Sequence, residues 1–299
     1  MPHQVPRADQ EIATLLALLL IFAGAPAAFA TDAGLVARGA YLADAADCAA
    51  CHTDSAHGGR PYAGGLAIAT PFGTFYSPNI TPDPATGIGR WTAAQFLRAL
   101  HDGVRADGAN LFPVFPYPSF TGITDSDGLA IWAYVRSLPP VHRENRPPDL
   151  PFPLSWRPLQ SVWKRLFFTP GRFRPTPGRS AAWNRGAYLV TALAHCGECH
   201  TPRNLLGAME RSRFLAGTAH GPDGKPVPNI TSARETGIGA WGVGDIATLL
   251  ATGQTPDFDS VGGAMGEVVQ STSRLTEADR RAIAVYLKTV PPIATPEQK

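Results

Sequence analysis

The chain has 299 residues, of which 44% are hydrophobic and 17% are charged, with 30 glycines, 29 prolines and a formal net charge of +2. The normal apolar fraction excludes an intrinsically disordered chain, and the length is sufficient for two domains with cores of their own. The glycine and proline content instead predicts short helices joined by long ordered loops.

The N-terminus has the pattern of an export signal. Arg7 precedes an apolar run from Ile12 to about Pro26, and Ala28-Phe29-Ala30 provides a small-x-small cleavage site. Residues 1–30 are therefore predicted to be a signal peptide. The run is shorter than the ~20 apolar residues of a comfortable membrane span, so an uncleaved anchor is the alternative interpretation. No other apolar stretch is long enough to span a membrane.

The first motif that carries chemistry is Cys48-Ala49-Ala50-Cys51-His52, and it occurs again as Cys196-Gly197-Glu198-Cys199-His200. C-x-x-C-H is the attachment signature of a c-type haem, because two thiols bind one porphyrin edge and the following histidine ligates the iron. The two copies use all four cysteines. The sequence therefore predicts a two-haem electron carrier whose attachment and iron-ligating residues are Cys48, Cys51, His52, Cys196, Cys199 and His200.

A zinc site, a thioredoxin-like redox pair and simple disulfides are the alternative interpretations of these cysteines. Zinc ribbons place their pairs much closer together than Cys51 and Cys196 lie in this sequence. A redox pair needs only one C-x-x-C and no trailing histidine, and disulfides are open to any secreted protein. None of the three explains why a histidine follows both pairs.

The chain also repeats itself with a period of about 150 residues. Residues 38–42 match residues 185–189, Asn79-Ile80-Thr81 matches residues 229–231, and the motif Thr-Gly-Ile-Gly-x-Trp occurs in both copies. A period of domain size predicts two tandem domains and not a solenoid. We expect these domains to be residues 31–140 and 186–299, joined by a linker over residues 141–185.

Each copy is expected to contain the same helices. In the first copy a short helix precedes the C-x-x-C-H motif, with Leu35, Leu42 and Ala46 on one face. A second helix spans about 93–101 and stops at Gly103, and its counterpart spans about 244–252 and stops at Gly253. Thr92 and Gln95 form the capping box of the former.

A final helix starts near Thr124 in the first copy and near Thr276 in the second, and each ends before a Pro-Pro pair. Glycines in the first helix permit the close approach of this last helix. We predict that Gly39 packs on Tyr134, and that Gly186 packs on Tyr286, where the two helices cross.

Several longer motifs carry a resemblance to a known family. They are residues 71–83 (PFGTFYSPNITPD), residues 111–117 (LFPVFPY), residues 199–204 (CHTPRN) and residues 266–269 (GEVV). With these motifs the chain resembles the cytochrome c subunits of membrane-bound alcohol, aldehyde and gluconate dehydrogenases over nearly all of its mature length. The resemblance implies an all-α cytochrome c fold in each domain. It also implies haem attachment outside the bacterial cytoplasm and electron transfer from a dehydrogenase towards the respiratory chain.

The second haem has a candidate for its sixth ligand. Met is the common distal ligand of carrier haems, because it raises the reduction potential. Apart from the initiator the chain has only Met209 and Met265, and Met209 follows His200 too closely to reach the opposite face of the haem easily. We predict His200 and Met265 as the axial pair, with Met265 as ordinary loop core the alternative.

The first haem has no such methionine. The related subunits often have Met at the position of Phe115, and no Met exists in the first domain. His57, His101 and His142 are the remaining donors. His101 is the best placed, because it closes the second helix, although a surface position is the default for each. We expect a bis-histidine or high-spin first haem with the lower potential, so that electrons enter there and leave through the His200/Met265 haem.

The predicted linker is basic and aromatic. Residues 141–185 hold nine Arg or Lys and two acids. Five apolar residues fall at helical spacing there: Trp156, Leu159, Trp163, Leu166 and Phe167. This stripe predicts packing between the domains, a docking surface for a dehydrogenase, or a membrane-surface contact. Nucleic acid is not an expected partner of an exported haem protein.

The sequence as a whole favours a periplasmic diheme cytochrome c, membrane-associated or free, that serves a dehydrogenase and a downstream acceptor. No residue is predicted to be a hydride or proton-transfer catalyst. The alternative is an enzyme in its own right, a peroxidase or a sulfur-compound oxidoreductase that uses the first haem as an open site. A soluble shuttle without a fixed partner is the third option.

Overall fold

The structure of the chain is a computed structural model, and it describes residues 1, 32–221 and 224–294. The predicted signal peptide lies outside the described residues except for Met1. From Ala33 onward the described residues belong to one compact unit. We refer to residues 33–140 as the first half, to 141–185 as the linker and to 186–294 as the second half.

Helices dominate the described residues. In the first half and the linker they are α1 (Ala33–Ala45), α2 (Cys48–His52), α3 (Ala93–Asp102), α4 (Tyr117–Phe120), α5 (Asp125–Ser137) and α6 (Leu159–Phe167). From residue 181 onward they are α7 (Ala181–Tyr188), α8 (Gly197–His200), α9 (Val243–Thr252), α10 (Gly263–Thr272) and α11 (Glu277–Leu287). A π-helical turn, Leu189–Leu193, continues α7. Helix α7 therefore begins within the residues assigned to the linker.

The all-α expectation needs one correction. A short antiparallel hairpin, β1 (Ala67–Thr70) and β2 (Gly73–Tyr76), occupies part of the loop after the first C-x-x-C-H motif. The Thr74 backbone also exchanges hydrogen bonds with Asp149 of the linker, at 3.0 and 2.8 Å. The hairpin was missed because Gly73 and the short alternating segments read as a Gly/Pro-rich loop.

The crossings of the first and last helices are as predicted. A Cβ atom on Gly39 would lie 1.9 Å from the Ala130 carbonyl oxygen and 2.8 Å from the Tyr134 Cβ. A Cβ atom on Gly186 would lie 1.9 Å from the Ala282 carbonyl oxygen and 2.9 Å from the Tyr286 Cβ. Only glycine permits this separation, so the same close crossing of α1 on α5 recurs as α7 on α11.

The predicted helix ends are also confirmed. Thr92 and Gln95 form a capping box at α3, and Gly103 ends that helix in the left-handed conformation. In α9 the Asp245 carboxylate accepts from the Gly242 N–H at 2.7 Å, and Gly253 ends the helix. Thr124 and Thr276 cap α5 and α11. The prediction for Leu35 is wrong, because this side chain is exposed while Leu42 is buried in the core.

The two halves contact each other through equivalent residues. The Tyr41 hydroxyl of α1 donates to Asp279 of α11 at 2.6 Å, and the Tyr188 hydroxyl of α7 donates to Asp127 of α5 at 2.7 Å. Each aspartate also binds an arginine of the first helix of its own repeat, Arg185 of α7 or Arg38 of α1. The pairing is reciprocal, so the interface has an approximate two-fold relation between the repeats.

The linker packs on both halves. The Trp163 indole N–H donates to the Leu206 carbonyl at 2.9 Å, and the Lys164 ammonium donates to the Asp102 carbonyl and, at 2.9 Å, to Asn110. The ring of Phe173 lies 5.4 Å from that of Tyr188. One side of α6 is therefore occupied by the protein itself, while Val162 and Leu166 on its other side are exposed.

Within the part of the chain that the structure describes, every helix is too short or too polar to cross a membrane.

Candidate haem-binding sites

Both C-x-x-C-H motifs lie on short helices, α2 and α8, that follow a longer helix after a sharp turn. The turn is made by the residue before the first cysteine, Asp47 in one motif and His195 in the other. Both have positive φ angles, 52° and 39°. Left-handed backbone is uncommon for residues other than glycine, so the same unusual turn directs both motifs.

All four cysteines are free thiols in the structure, which does not support the disulfide alternative. Burial raises the pKa of both Cys48 and Cys196 to about 12, so these side chains are protonated thiols at neutral pH. Among the described residues no group of three or more His, Cys, Asp and Glu side chains is placed to hold a metal ion. A zinc site would need four such donors together.

The histidine of each motif is held in one orientation. His52 Nδ1 donates to the Pro78 carbonyl at 2.8 Å, and His200 Nδ1 donates to the Pro228 carbonyl at 2.8 Å. Burial lowers the pKa of both imidazoles, so they are neutral at pH 7. A proton fixed on Nδ1 leaves the Nε2 lone pair free for a metal.

The prolines that accept these bonds were missed by the sequence reasoning. Their signal was present, because Pro-Asn-Ile-Thr occurs in both copies. The Thr81 hydroxyl donates to Asn79 at 2.7 Å, and the Thr231 hydroxyl donates to Asn229 at 2.7 Å. These buried pairs hold the loop that presents the proline carbonyl to the histidine.

The residues present fit a covalently bound haem at each motif. Each site combines two free thiols of one short helix with a neutral imidazole whose Nδ1 is already bonded. This is the donor set of a c-type haem, in which an outer hydrogen bond orients the proximal histidine. The repeat therefore reproduces both the residues that could attach a haem and the contact that would orient its ligand.

The two motifs lie close to each other. Desolvation by the surrounding protein, then Asp47, then the Cys199 thiol raise the pKa of Cys51 to about 11, although one side of Cys51 opens onto solvent. A Coulombic effect between two thiols requires proximity. Helix α4 approaches the second motif as well, since the Ser119 hydroxyl donates to Glu198 at 2.7 Å.

Met265 lies in the first turn of α10 and is partly buried against the hydrophobic core, as are Cys196 and Trp241. This placement accords with a distal ligand for the second site, which stays a prediction. Met209 lines a small cavity beside the second motif, together with Pro118, Trp163 and Glu198.

The residues considered for the distal side of the first site are separated in the structure. Phe115 is partly buried, with its ring 5.5 Å from that of Phe120. His57 and His142 have mostly exposed side chains beside acidic residues. His101 is 1% exposed at the end of α3, with its Nδ1 3.7 Å from Asp125.

The sequence is similar to those of known proteins. Residues 36–139 match the family model described as cytochrome c. The chain is similar to a diheme cytochrome c-type protein of Cereibacter sphaeroides, with 43% identity over 277 residues that cover 90% of each chain. It is also similar to the cytochrome c subunit of the quinone-dependent alcohol dehydrogenase of Komagataeibacter europaeus, with 44% identity over 88% of this chain and 57% of that protein.

A third relative is the fructose dehydrogenase cytochrome subunit of Gluconobacter japonicus, with 45% identity over 86% of this chain and 52% of that protein. The chain spans about half the length of the dehydrogenase subunits that it matches in these two organisms.

Proposed function

We propose that this chain is an exported electron carrier with two haem c groups. The chain belongs to the cytochrome c family, which includes diheme c-type cytochromes and the cytochrome c subunits of dehydrogenases. It transfers electrons, as a c-type cytochrome does, from a dehydrogenase towards the respiratory chain. Residues 31–140 and 186–299 each bind one haem, and His200 with Met265 ligates the second iron. The exported protein acts in the periplasm.

One observation carries the proposal of two haems. The contact between the motif histidine and a proline carbonyl occurs twice, at 2.8 Å each time, beside a pair of free thiols. A motif that was only a remnant of duplication would have no reason to retain the oriented, neutral imidazole. The haem, when bound, supplies the one-electron chemistry.

The protein's own residues give these sites their electron-transfer properties. The buried Asn-Thr pairs hold the proline carbonyls, so the imidazoles need little rearrangement when the charge of the iron changes. The reciprocal bonds of Tyr41 and Tyr188 hold the two halves in one arrangement. The proximity of Cys51 to Cys199 supports direct exchange of electrons between the two sites.

The experiment that tests this function counts haems and follows their reduction. The purified exported protein should carry two haems in its intact mass. The double variant Cys48→Ser/Cys51→Ser and its counterpart Cys196→Ser/Cys199→Ser should each retain one. A dehydrogenase that reduces the wild-type protein should reduce it much faster than either variant. Wild-type protein with apo-protein mass would overturn the proposal.

The outer side of α6 is where we expect the dehydrogenase to dock. Val162 and Leu166 are more than half exposed, and Arg165 of the same helix is also exposed. Apolar contacts among basic side chains suit an acidic protein surface. The inner side of α6 is not available, because Lys164 is bonded to the Asp102 carbonyl.

Arg165→Glu should slow reduction by the dehydrogenase several-fold at low salt and little at high salt, because exposed charges are screened. The matched control is Arg234→Glu, which makes the same charge change at an exposed position outside the linker. Equal rates for the two variants would remove this docking surface. Loss of binding to anionic phospholipid vesicles in Arg165→Glu, with unchanged reduction, would assign the surface to a membrane instead.

A second function is favoured by one residue. Phe115 stands in the first half where Met265 stands in the second. The first haem would then lack a Met ligand, and its iron would be open to a substrate. A peroxidase or a sulfur-compound oxidoreductase would turn over peroxide or thiosulfate with the purified chain alone. An inert protein that is nevertheless rapidly reduced by a dehydrogenase identifies the carrier.

A further inference from the structure

We infer that the first of the two haems has no protein ligand on its distal side and that its iron takes a neutral diatomic molecule such as carbon monoxide there. This inference rests on the proposed function, in which each C-x-x-C-H motif carries a haem. It assigns different tasks to two sites of the same fold. It follows from four features of the first half.

The first feature is that Phe115 and Met265 follow an equivalent loop hydrogen bond at the same spacing. After α3 the Leu111 N–H donates to the Gly103 carbonyl at 2.8 Å, and after α9 the Val261 N–H donates to the Gly253 carbonyl at 2.9 Å. Phe115 and Met265 each follow four residues after that bond. Both are partly buried against the hydrophobic core. A side chain without a donor atom thus takes the place of the predicted ligand.

The second feature is the small number of other donors. Residues 32–140 contain neither Met nor Lys, and both cysteines belong to the attachment motif. His57 and His142 are not aimed at the interior, since their side chains are 81% and 65% exposed. Burial raises the pKa of Tyr62 and Tyr117, which disfavours the phenolate that would bind iron.

The third feature is that His101 has a structural role. Its ring lies beside Gly128 of α5, and it interacts with the Ile123 carbonyl. In the second half, Ala251 holds the position of His101, Arg280 that of Gly128, and Leu275 that of Ile123. There the Arg280 guanidinium donates to the Leu275 carbonyl.

His101 therefore occupies the space that the Arg280 side chain occupies in the other half. The two side chains bond equivalent backbone carbonyls, those of Ile123 and Leu275. The His101 Nε2 is buried against Gly128 of α5 and has no hydrogen-bond partner. His101 is therefore packed as part of the core between α3 and α5, and its variant below decides whether it also reaches the iron.

The fourth feature is the chemical character of the distal side. The Phe115 ring packs edge-on against Phe120, 5.5 Å between centres, and Phe120 in turn contacts the His195 imidazole at 5.3 Å. Phenyl rings offer neither a hydrogen bond nor a charge to a bound molecule. The polarity and donors of a distal pocket decide which ligands bind, so an apolar pocket favours neutral carbon monoxide or nitric oxide over azide or cyanide.

The test is carbon monoxide binding by the intact, fully reduced protein. We expect half of the haem to form the carbon monoxide complex and the other half to stay low-spin. In the oxidised protein half of the iron should be high-spin. Azide should bind to that half at least tenfold more weakly than to a haem protein with a distal hydrogen-bond donor.

Two reciprocal variants sharpen the test. Phe115→Met should abolish carbon monoxide binding, double the weak far-red absorption of a Met–iron bond and raise the lower reduction potential. Met265→Phe should double the bound carbon monoxide and remove that absorption. His101→Gln should leave both signals at wild-type intensity, whereas loss of a low-spin haem in His101→Gln would make His101 the ligand.

The outcome is separable from that of the proposed function. A wild-type protein with two haems by mass, both low-spin and unreactive towards carbon monoxide, overturns this inference and leaves the carrier intact. A protein with fewer than two haems overturns the proposal on which the inference depends.

Discussion

The two halves of this protein share a backbone frame and differ in the side chains placed on it. The glycine crossings, the Thr caps, the bonds from histidine to proline carbonyl and the loop bonds after α3 and α9 all recur. One exchange is Phe115 in the place of Met265, the predicted distal ligand. In the function that we propose, the attachment of a cofactor and the control of its free coordination position are therefore separable properties of the fold.

A second difference shows how such exchanges remain compatible with the frame. The backbone carbonyl that precedes the last helix is hydrogen-bonded by His101 of α3 in the first half and by Arg280 of α11 in the second. Gly128 leaves space for the imidazole, and Ala251 leaves space for the guanidinium. Because the two positions change together, the backbone carbonyl keeps a polar partner in both halves.

The largest expected effect concerns the close helix crossings that the two halves share. Gly39→Ala and Gly186→Ala should each lower the free energy of unfolding by about 2–4 kcal/mol, because the new methyl group would collide with a backbone carbonyl. Denaturant unfolding of the holoprotein measures the change. Equal losses would indicate equivalent crossings.

The matched control is Gly244→Ala in α9, where a Cβ would meet no atom within 4 Å. This variant should be stabilised by about 0.5–1 kcal/mol, because alanine restricts the unfolded chain and favours the helix. A Gly39→Ala protein with the stability of Gly244→Ala would contradict the close crossing.

The next effect is a pH dependence of stability that we expect from the first half and not from the second. Burial lowers the pKa of His101 to about 4, from the ordinary 6.5 of an unfolded chain. Between pH 6.5 and pH 4 the unfolded state binds more protons at this position. The free energy of unfolding therefore decreases as the pH falls through this range, by up to roughly 3 kcal/mol. His101→Gln should flatten that dependence.

The neighbouring charges oppose each other here, since Arg172 lowers the pKa of His101 while Asp125 and Asp102 raise it. His220→Gln, at an exposed histidine of the second half, is the control and should retain the wild-type slope. An unchanged slope in His101→Gln would mean that other groups cause the acid sensitivity.

The smallest effect concerns the interface between the halves. Tyr41→Phe and Tyr188→Phe each remove a hydrogen bond to a carboxylate that keeps its arginine, and a second bond that the hydroxyl accepts from the Thr276 or Thr124 N–H. Each variant should cost about 1–2 kcal/mol. Tyr188→Phe should be the more harmful, because its partner Asp127 is 3% exposed. Thermal unfolding of the holoprotein compares them.

Tyr76→Phe serves as the control, because the ring keeps its contact with the Arg146 guanidinium at 3.9 Å. The two interface variants should be additive, since they remove separate bonds. A double variant no less stable than Tyr188→Phe alone would show that the two contacts are not independent.

Much of the local structure was predictable from the sequence, because its causes are local. Thr92 with Gln95 and the glycines at 103 and 253 mark helix ends by their own hydrogen bonds and backbone conformations. The pairing of Gly39 with Tyr134 followed from the repeat. The hairpin from Ala67 to Tyr76 did not follow, since its strands are four residues long and one of them is held in part by the linker.

The sequence by itself determined where the two C-x-x-C-H motifs lie, which half has a methionine and where the chain is duplicated, because these depend on residue identity and spacing. Only the tertiary structure decided that Tyr41 reaches Asp279, that Cys51 lies near Cys199 and that His101 serves a backbone carbonyl. Such contacts depend on how elements far apart in the chain are placed, and small shifts of a helix exchange one partner for another. That placement is set by packing across the whole unit, which no local pattern encodes.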